Sequence, residues 1–232
     1  MAQPAAVSSS GGQRETTGRY VVPFVVFFAF LALHNVAPLP VLPDYALRVF
    51  VVAAVLALYS RPVIAWRPRH WAATVAFGAA VFLIWIGPDL LFPHYRQCWL
   101  FQNSLTGQVQ SSLPSSLRAD SAVLTLRVLR AVIIVPIVEE LFWRGWLMRW
   151  LIDTDFRSVA FGTYAPASFW ITALLFASEH GPFWDVGLIA GVLYNWWAIR
   201  TKSLADCILA HAVTNAALCA WVIATGSWQY WM

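Results

Sequence analysis

The chain has 232 residues, of which 60% are hydrophobic, 16% aromatic and 11% charged, with a formal net charge of +4. An average soluble domain carries about 25% charged residues, so this composition excludes an ordinary water-soluble globule and indicates a membrane protein. The basic residues, all arginine except Lys202, are scattered between apolar runs; they read as orientation signals, not as a nucleic-acid surface.

Residues 1–19 are rich in Ala, Ser, Gly and Gln and are expected to form a disordered cytoplasmic tail, because they lack the apolar residues to bury a core. An apolar run from Tyr20 to Ala37 follows, with no small-x-small cleavage site at its end, so it is expected to be a retained first span. P-L-P-V-L-P over Pro38 to Pro43 makes a stiff turn into a second span over about Asp44 to Ser60. Arg61, Arg67 and Arg69 form a basic loop before a third span, about Trp71 to Gly87.

Residues 88–119 are polar, proline-containing and serine-rich, and are expected to be an extramembrane loop with Trp99 and Phe101 at the interface. A long fourth helix is predicted from about Ser121 to Ile152. Three more follow: Pro166 to His180, Asp185 to Arg200 and Leu204 to Ala224. The expected fold is therefore all-α: a polytopic transmembrane helical bundle of about seven spans, with its functional cavity inside the membrane. It divides into a tail (1–19), N-terminal spans with a polar external loop (20–120) and a helical core (121–226).

Counting basic residues gives Arg14, Arg19, Arg61, Arg67, Arg69, Arg144, Arg149, Arg157, Arg200 and Lys202 on the side of the N-terminus. Arg48, Arg96 and Arg118 fall opposite. This asymmetry favours a cytoplasmic N-terminus. Cys98, Cys207 and Cys219 form no C-x-x-C or Cys/His cluster, which argues against a disulfide framework or a cysteine zinc site.

The informative residues are those that lipid should not tolerate. V-P-I-V-E-E-L-F-W-R-G-W, Val135 to Trp146, places Glu139 and Glu140 side by side in an apolar helix, at roughly 2.5–3.5 kcal/mol per unpaired acidic group on insertion scales. Glu140 and Arg144 are four apart and share a face, so they are expected to form an ion pair that supports the site. Glu139 points about 100° away and is left for proton transfer. The competing reading is a stabilising network of all three with Arg127 or Arg130.

The fifth helix ends F-A-S-E-H-G-P, placing His180, with Glu179 beside it, at a Gly-Pro break. His211 and Asn215 sit at i,i+4 on the last helix, on one face, although interhelical hydrogen bonding also explains such a pair. Glu139 lies ten residues from Arg149, roughly 15 Å, and His211 nine residues from Lys202, roughly 14 Å, so both reach one depth. Glu with His can deprotonate a water, and His with Asn can hydrogen-bond an oxyanion. G-x-S-x-G and H-E-x-x-H are both absent, so water-mediated amide hydrolysis is the chemistry that fits.

Over roughly Ala131 to Ala220 the chain resembles the CPBP intramembrane proteases, which include type II CAAX prenyl endopeptidases and bacteriocin-processing and immunity relatives. The resemblance rests on E-E-x-x-x-R (Glu139, Glu140, Arg144), F-x-x-x-H (Phe176 to His180) and H-x-x-x-N (His211 to Asn215), in that order. The W-R-G-W-L-M-R-W and H-G-P-F-W-D-V-G surroundings look like the bacterial branch linked to exosortase and protein-sorting systems.

The resemblance implies a glutamate-dependent endopeptidase of a bacterial inner membrane, acting on a membrane-bound protein or peptide. Glu139 with His180 would activate water, His211 and Asn215 would stabilise the oxyanion, and Glu140 and Arg144 would hold the site. No cofactor is expected; zinc, which two His and two Glu could ligate, is the less favoured alternative. A non-proteolytic membrane scaffold or immunity protein, and a proton-coupled transporter using Glu139, Glu140 and His180, are the competing functions.

Overall fold

A computed structural model describes residues 7–36 and 39–231. Its described residues form seven main helices: α1 (Val7–Val36), α2 (Val41–Val55, carried on to Val63 by a π turn and a 3-10 turn), α3 (Trp71–Leu91), α4 (Ser121–Trp150), α5 (Pro166–Ser178), α6 (Trp184–Thr201) and α7 (Leu204–Thr225). Five of them, α1, α2, α3, α4 and α7, are long and apolar enough to cross a membrane, whereas α5 is a shorter apolar helix. The chain is an all-α integral membrane bundle, as its apolar runs predict.

The differences from the expected boundaries have local causes. Helix α1 begins at Val7, so the disorder expected over residues 1–19 does not hold from Val7 onward; residues 1–6 lie outside the described residues. Once the apolar segment has nucleated a helix, each further residue adds at little cost, and Arg19 pairs with Glu15 one turn earlier at 2.6 Å. The expected end of the first span at Ala37 and the first proline of the turn, Pro38, lie outside the described residues. Helix α2 starts at Val41, three residues before Asp44, because Pro43 falls in the first turn, where a missing N–H leaves no bond unmade. Helix α3 runs through Pro88 to Leu91.

Helix α4 is continuous but irregular. Wide π turns at Arg130–Ile134 and Leu141–Leu147 flank the α-helical Val135–Glu140 that carries both glutamates. Pro136, which cannot donate to the preceding turn, lies just after the first of these.

Two close crossings set the core. A Cβ on Gly78 of α3 would come within 2.5 Å of the Ala210 carbonyl oxygen on α7, and Thr214 Oγ1 donates to the Gly78 carbonyl at 2.9 Å. Gly191 of α6 is packed less tightly on α5, where a Cβ would meet Ala173 backbone at 3.1 Å. Small residues permit such approaches where lipid leaves packing, not water, as the driving force. Asp206 of α7 caps α3 by accepting from Arg69 N, His70 N and Thr74 Oγ1 at 2.8, 2.9 and 2.7 Å.

The polar loop is anchored to the bundle. Arg96, buried, donates to Asp89, Asp185 and the Pro182 carbonyl at 2.9, 2.5 and 2.7 Å, which ties the loop to the break after α5. Tyr95 and Tyr230, in the loop and the C-terminal turn, donate to Asp185 and Asp89 at 2.9 Å each; burial together with these carboxylate partners pushes both phenols well above their ordinary range. Of the expected interfacial pair, Trp99 is exposed, but Phe101 is buried and stacks on Trp184 at 5.8 Å.

Candidate active site

The two adjacent acids of α4 enter different surroundings. Glu140 is wholly buried; its Oε1 accepts from Arg144 Nη1 at 3.0 Å and is 2.9 Å from His211 Nδ1. Glu139 is also buried, at 8% exposure, yet it borders a cavity of about 420 Å³ that Glu140 does not line. Glu139 Oε2 takes no hydrogen bond among the described residues, and neither does Glu140 Oε2.

Arg144 divides its donors between its own helix and α6. Nε donates to Asn195 Oδ1 at 2.9 Å, Nη1 to Glu140, and Nη2 to the Gly191 carbonyl at 3.3 Å, while the guanidinium lies over the Phe176 ring at 4.6 Å. Asn195 in turn donates Nδ2 to the Phe169 carbonyl at 2.8 Å. A buried cation costs least when its donors are engaged and a carboxylate is in contact; each of the three Arg144 nitrogens has a partner and Glu140 is the carboxylate. The expected Glu140–Arg144 pair is therefore present, with Asn195 as a member that the motifs did not reveal.

A stripe on α6 could have revealed it. Gly187, Gly191 and Asn195 recur every four residues, which puts them on one face. Each meets the site: a Cβ on Gly187 would touch His180 at 3.1 Å, the Gly191 carbonyl accepts from Arg144, and Asn195 holds Nε. The G-x-x-x-G spacing marks a close helix crossing, and the polar residue one turn beyond it faces the same neighbour.

His180 sits just past the end of α5, between Trp85 (ring centroids 5.1 Å) and Phe176 (4.8 Å). Its Nδ1 is 2.8 Å from the Phe176 carbonyl oxygen. A carbonyl can only accept, so Nδ1 carries the proton and the neutral ring presents Nε2 as its bare, basic nitrogen. His211 stacks on Tyr194 at 5.1 Å with an interplanar angle of 22°, and the Tyr194 hydroxyl is fixed by Thr214 Oγ1 at 2.8 Å. With Nδ1 turned to Glu140, His211 keeps Nε2 for other partners.

Asn215 Nδ2 donates to the Ala131 carbonyl at 2.8 Å. That carbonyl lies in the wide turn before Pro136, where Val135 N already reaches back five residues to Arg130 O. The next bond in this register would need an N–H on residue 136, which proline lacks. Asn215 supplies the missing donor, and one of its two amide hydrogens is used in doing so.

The cavity brings Glu139, His180, His211 and Asn215 together and adds Glu179 to its wall. The competing network with the glutamates is not what forms: Arg127 donates to Tyr45 and Ser112 at 2.5 and 2.8 Å, and Arg130 lies over the Tyr45 ring at 5.1 Å. Both arginines border the same cavity, N-terminal to Glu139 on α4. Among the described residues no group of three or more His, Cys, Asp and Glu converges as a metal-ion site would require.

Residues 121–217 match the family model described as type II CAAX prenyl endopeptidase Rce1-like. Neither the curated proteins nor the solved structures provide a match to the chain. The matched segment begins at the start of α4 and ends within α7, so it contains Glu139, Glu140, Arg144, His180, Asn195, His211 and Asn215.

Proposed function

We propose, from the premise that residues 121–217 are a CPBP-family domain of the Rce1-like kind, that this integral membrane protein is a glutamic intramembrane endopeptidase. Its substrate is a membrane-associated protein, cut inside or at the edge of the bilayer. The observation that carries the reading is a buried Glu139 carboxylate with an unpartnered oxygen, on a cavity shared with His180, His211 and Asn215. Such a group is expensive in lipid unless it has a task.

In the proposed reaction Glu139, assisted by His180 Nε2, removes a proton from a water held between them. The hydroxide attacks the scissile carbonyl carbon, and the C=O electron pair moves onto oxygen. The oxyanion accepts from the second amide hydrogen of Asn215 and from His211 Nε2 when that nitrogen carries a proton. Collapse of the tetrahedral species breaks the C–N bond, and the proton first taken from water passes to the leaving amine. This leaves a carboxylic acid on one fragment and an amine on the other, and transfer of the remaining water proton between them gives the carboxylate and ammonium products. The sequence of steps calls on no metal and no cofactor.

The Arg144 network supports this assignment indirectly, by holding Glu140 and hence His211 in one orientation. The excess of arginine on the N-terminal side supports a cytoplasmic N-terminus. The test is Glu139→Gln in cells, with the C-termini of membrane proteins compared by mass spectrometry. Substrate cleavage is expected to vanish while the variant inserts and folds. Undiminished cleavage by folded Glu139→Gln overturns the proposal, and unaltered cellular function without any change in C-termini favours a scaffold.

A further inference from the structure

We propose that Glu179, which faces the same cavity as Glu139, is a second catalytic residue: the acid that protonates the leaving amine. This rests on the peptidase reading. Glu179 caps the C-terminal end of α5 and lies on the cavity wall with Glu139 and His180. The residue is half-buried, but its Oε2 is covered and takes no hydrogen bond among the described residues, the same condition as Glu139 Oε2. His180 assists with water, and His211 and Asn215 meet the oxyanion. The leaving nitrogen has no donor of its own among them, and a carboxyl group at this depth is costly without a task.

The surroundings bring the two acids together. Trp143 lies one turn beyond Glu139 on α4, and its indole Nε1 faces the Glu179 carboxyl without completing a hydrogen bond of ordinary geometry. Among the acids, Glu179 bears more strongly on Glu139 than Glu140 does, although Glu140 is the neighbour in the chain. Arg144, the one cation that bears on Glu179, is already in contact with Glu140. Two carboxyl groups on one cavity repel each other when both are charged, so such a pair holds a proton between them. A pair in that state supplies a base and an acid at once. Glu139 has to be free of the proton to take one from water, so the shared proton belongs on Glu179.

The step balances. Glu139 takes one proton from water as the oxygen–carbon bond forms. In the tetrahedral species the nitrogen lone pair takes the Glu179 proton, the C–N pair leaves with nitrogen, and the oxyanion pair re-forms C=O. The proton on Glu139 then passes to Glu179 and restores the pair. In net terms the proton first taken from water has gone to the amine.

The experiment exploits the leaving group. The probe is the membrane protein whose C-terminus changes most between wild-type and Glu139→Gln cells, made as a synthetic peptide across the cut site. A second probe is the N-terminal part of that peptide, ending at the cut as its p-nitrophenyl ester. An amide nitrogen needs a proton to leave, whereas p-nitrophenolate does not. With the full-length protein in phosphatidylcholine nanodiscs, Glu179→Gln is expected to cut the peptide about a hundred- to ten-thousandfold more slowly, with KM unchanged. It should hydrolyse the ester at close to the wild-type rate, which also shows that the rest of the site is folded. Glu139→Gln should lose both activities. Glu179→Asp, which keeps an acid, should show a peptide-to-ester ratio between those of wild type and Glu179→Gln.

A peptide-to-ester ratio that neither Glu179 variant lowers overturns the proposal, and so does loss of both activities in both variants, which assigns Glu179 to structure. Either result leaves the peptidase reading standing, because the wild-type protein still cleaves. If no C-terminus differs between wild-type and Glu139→Gln cells, the peptidase reading fails and this role falls with it.

Discussion

Asn195 offers the sharpest test of how the site is held, because it joins three helices through one side chain. Asn195→Leu is nearly isosteric, but it deprives Arg144 Nε of its acceptor and the Phe169 carbonyl of a donor. That carbonyl lies within α5 and keeps its helical bond, so its loss should be small, about 0.5–1 kcal/mol. The bond to buried, charged Arg144 falls in the range of about 1.5–3 kcal/mol. A total destabilisation of about 2–4 kcal/mol is expected. The pairwise part is isolated by a cycle with Arg144→Lys, which keeps a cation beside Glu140 and removes Nε. In that background Asn195→Leu should cost about 1 kcal/mol or less, giving a coupling of about 2 kcal/mol. Unfolding by SDS titration in mixed micelles, followed by the fluorescence of the 14 tryptophans, measures all four corners. Ordinary interhelical hydrogen bonds in a membrane average about 0.6 kcal/mol. A coupling at or below that value would refute the claim that Arg144 is dry, charged and dependent on Asn195.

Two further outcomes are expected. With ¹⁵N-labelled histidine, and the His180 signals assigned by their loss in His180→Gln, the neutral ring should carry its proton on Nδ1; a proton on Nε2 contradicts the bond to the Phe176 carbonyl. Gly78→Ala, whose Cβ would press on the Ala210 carbonyl and Val213, should destabilise the protein by about 1–3 kcal/mol. Gly87→Ala on the same helix meets nothing within 4 Å and should be neutral or slightly stabilising in the same SDS titration; equal effects would deny the close crossing of α3 and α7.

The helices are legible in the sequence because lipid-crossing segments are apolar runs punctuated by arginine and proline. Arg61, Arg67 and Arg69 mark one junction, and Pro166 marks the start of α5. The π turns of α4 are not legible: a one-residue widening leaves an all-apolar stretch all-apolar, so no periodicity records it. The burial of Phe101 is hidden for another reason. Its place is set by Trp184, more than eighty residues away, with Tyr95 and Arg96 of the same loop beside it. The site is legible where depth alone decides. Glu139 and His211 stand at matched heights on α4 and α7, and the structure places both on one cavity. Asn195 carries no motif of its own, and only its spacing from Gly187 and Gly191 marks its face.

The pairing of Pro136 with Asn215 shows why the two halves of the site have to be read together. Taken alone, a proline inside a membrane helix looks like a flaw, and an asparagine on a facing helix looks like a catalytic donor or a packing hydrogen bond. Here the proline and the wide turn release the Ala131 carbonyl, and Asn215 is the side chain that answers it. The bond fixes the orientation of the amide, with Nδ2 toward Ala131, so its second hydrogen is held in a set direction by the backbone of α4. That same helix carries Glu139 eight residues further on. The proposed base and the proposed oxyanion donor are thereby referenced to a single piece of backbone, which is what preorganisation for a developing negative charge demands. Replacing Pro136 by Ala would restore a donor for that carbonyl within α4 and loosen Asn215 without touching any group proposed to meet the substrate.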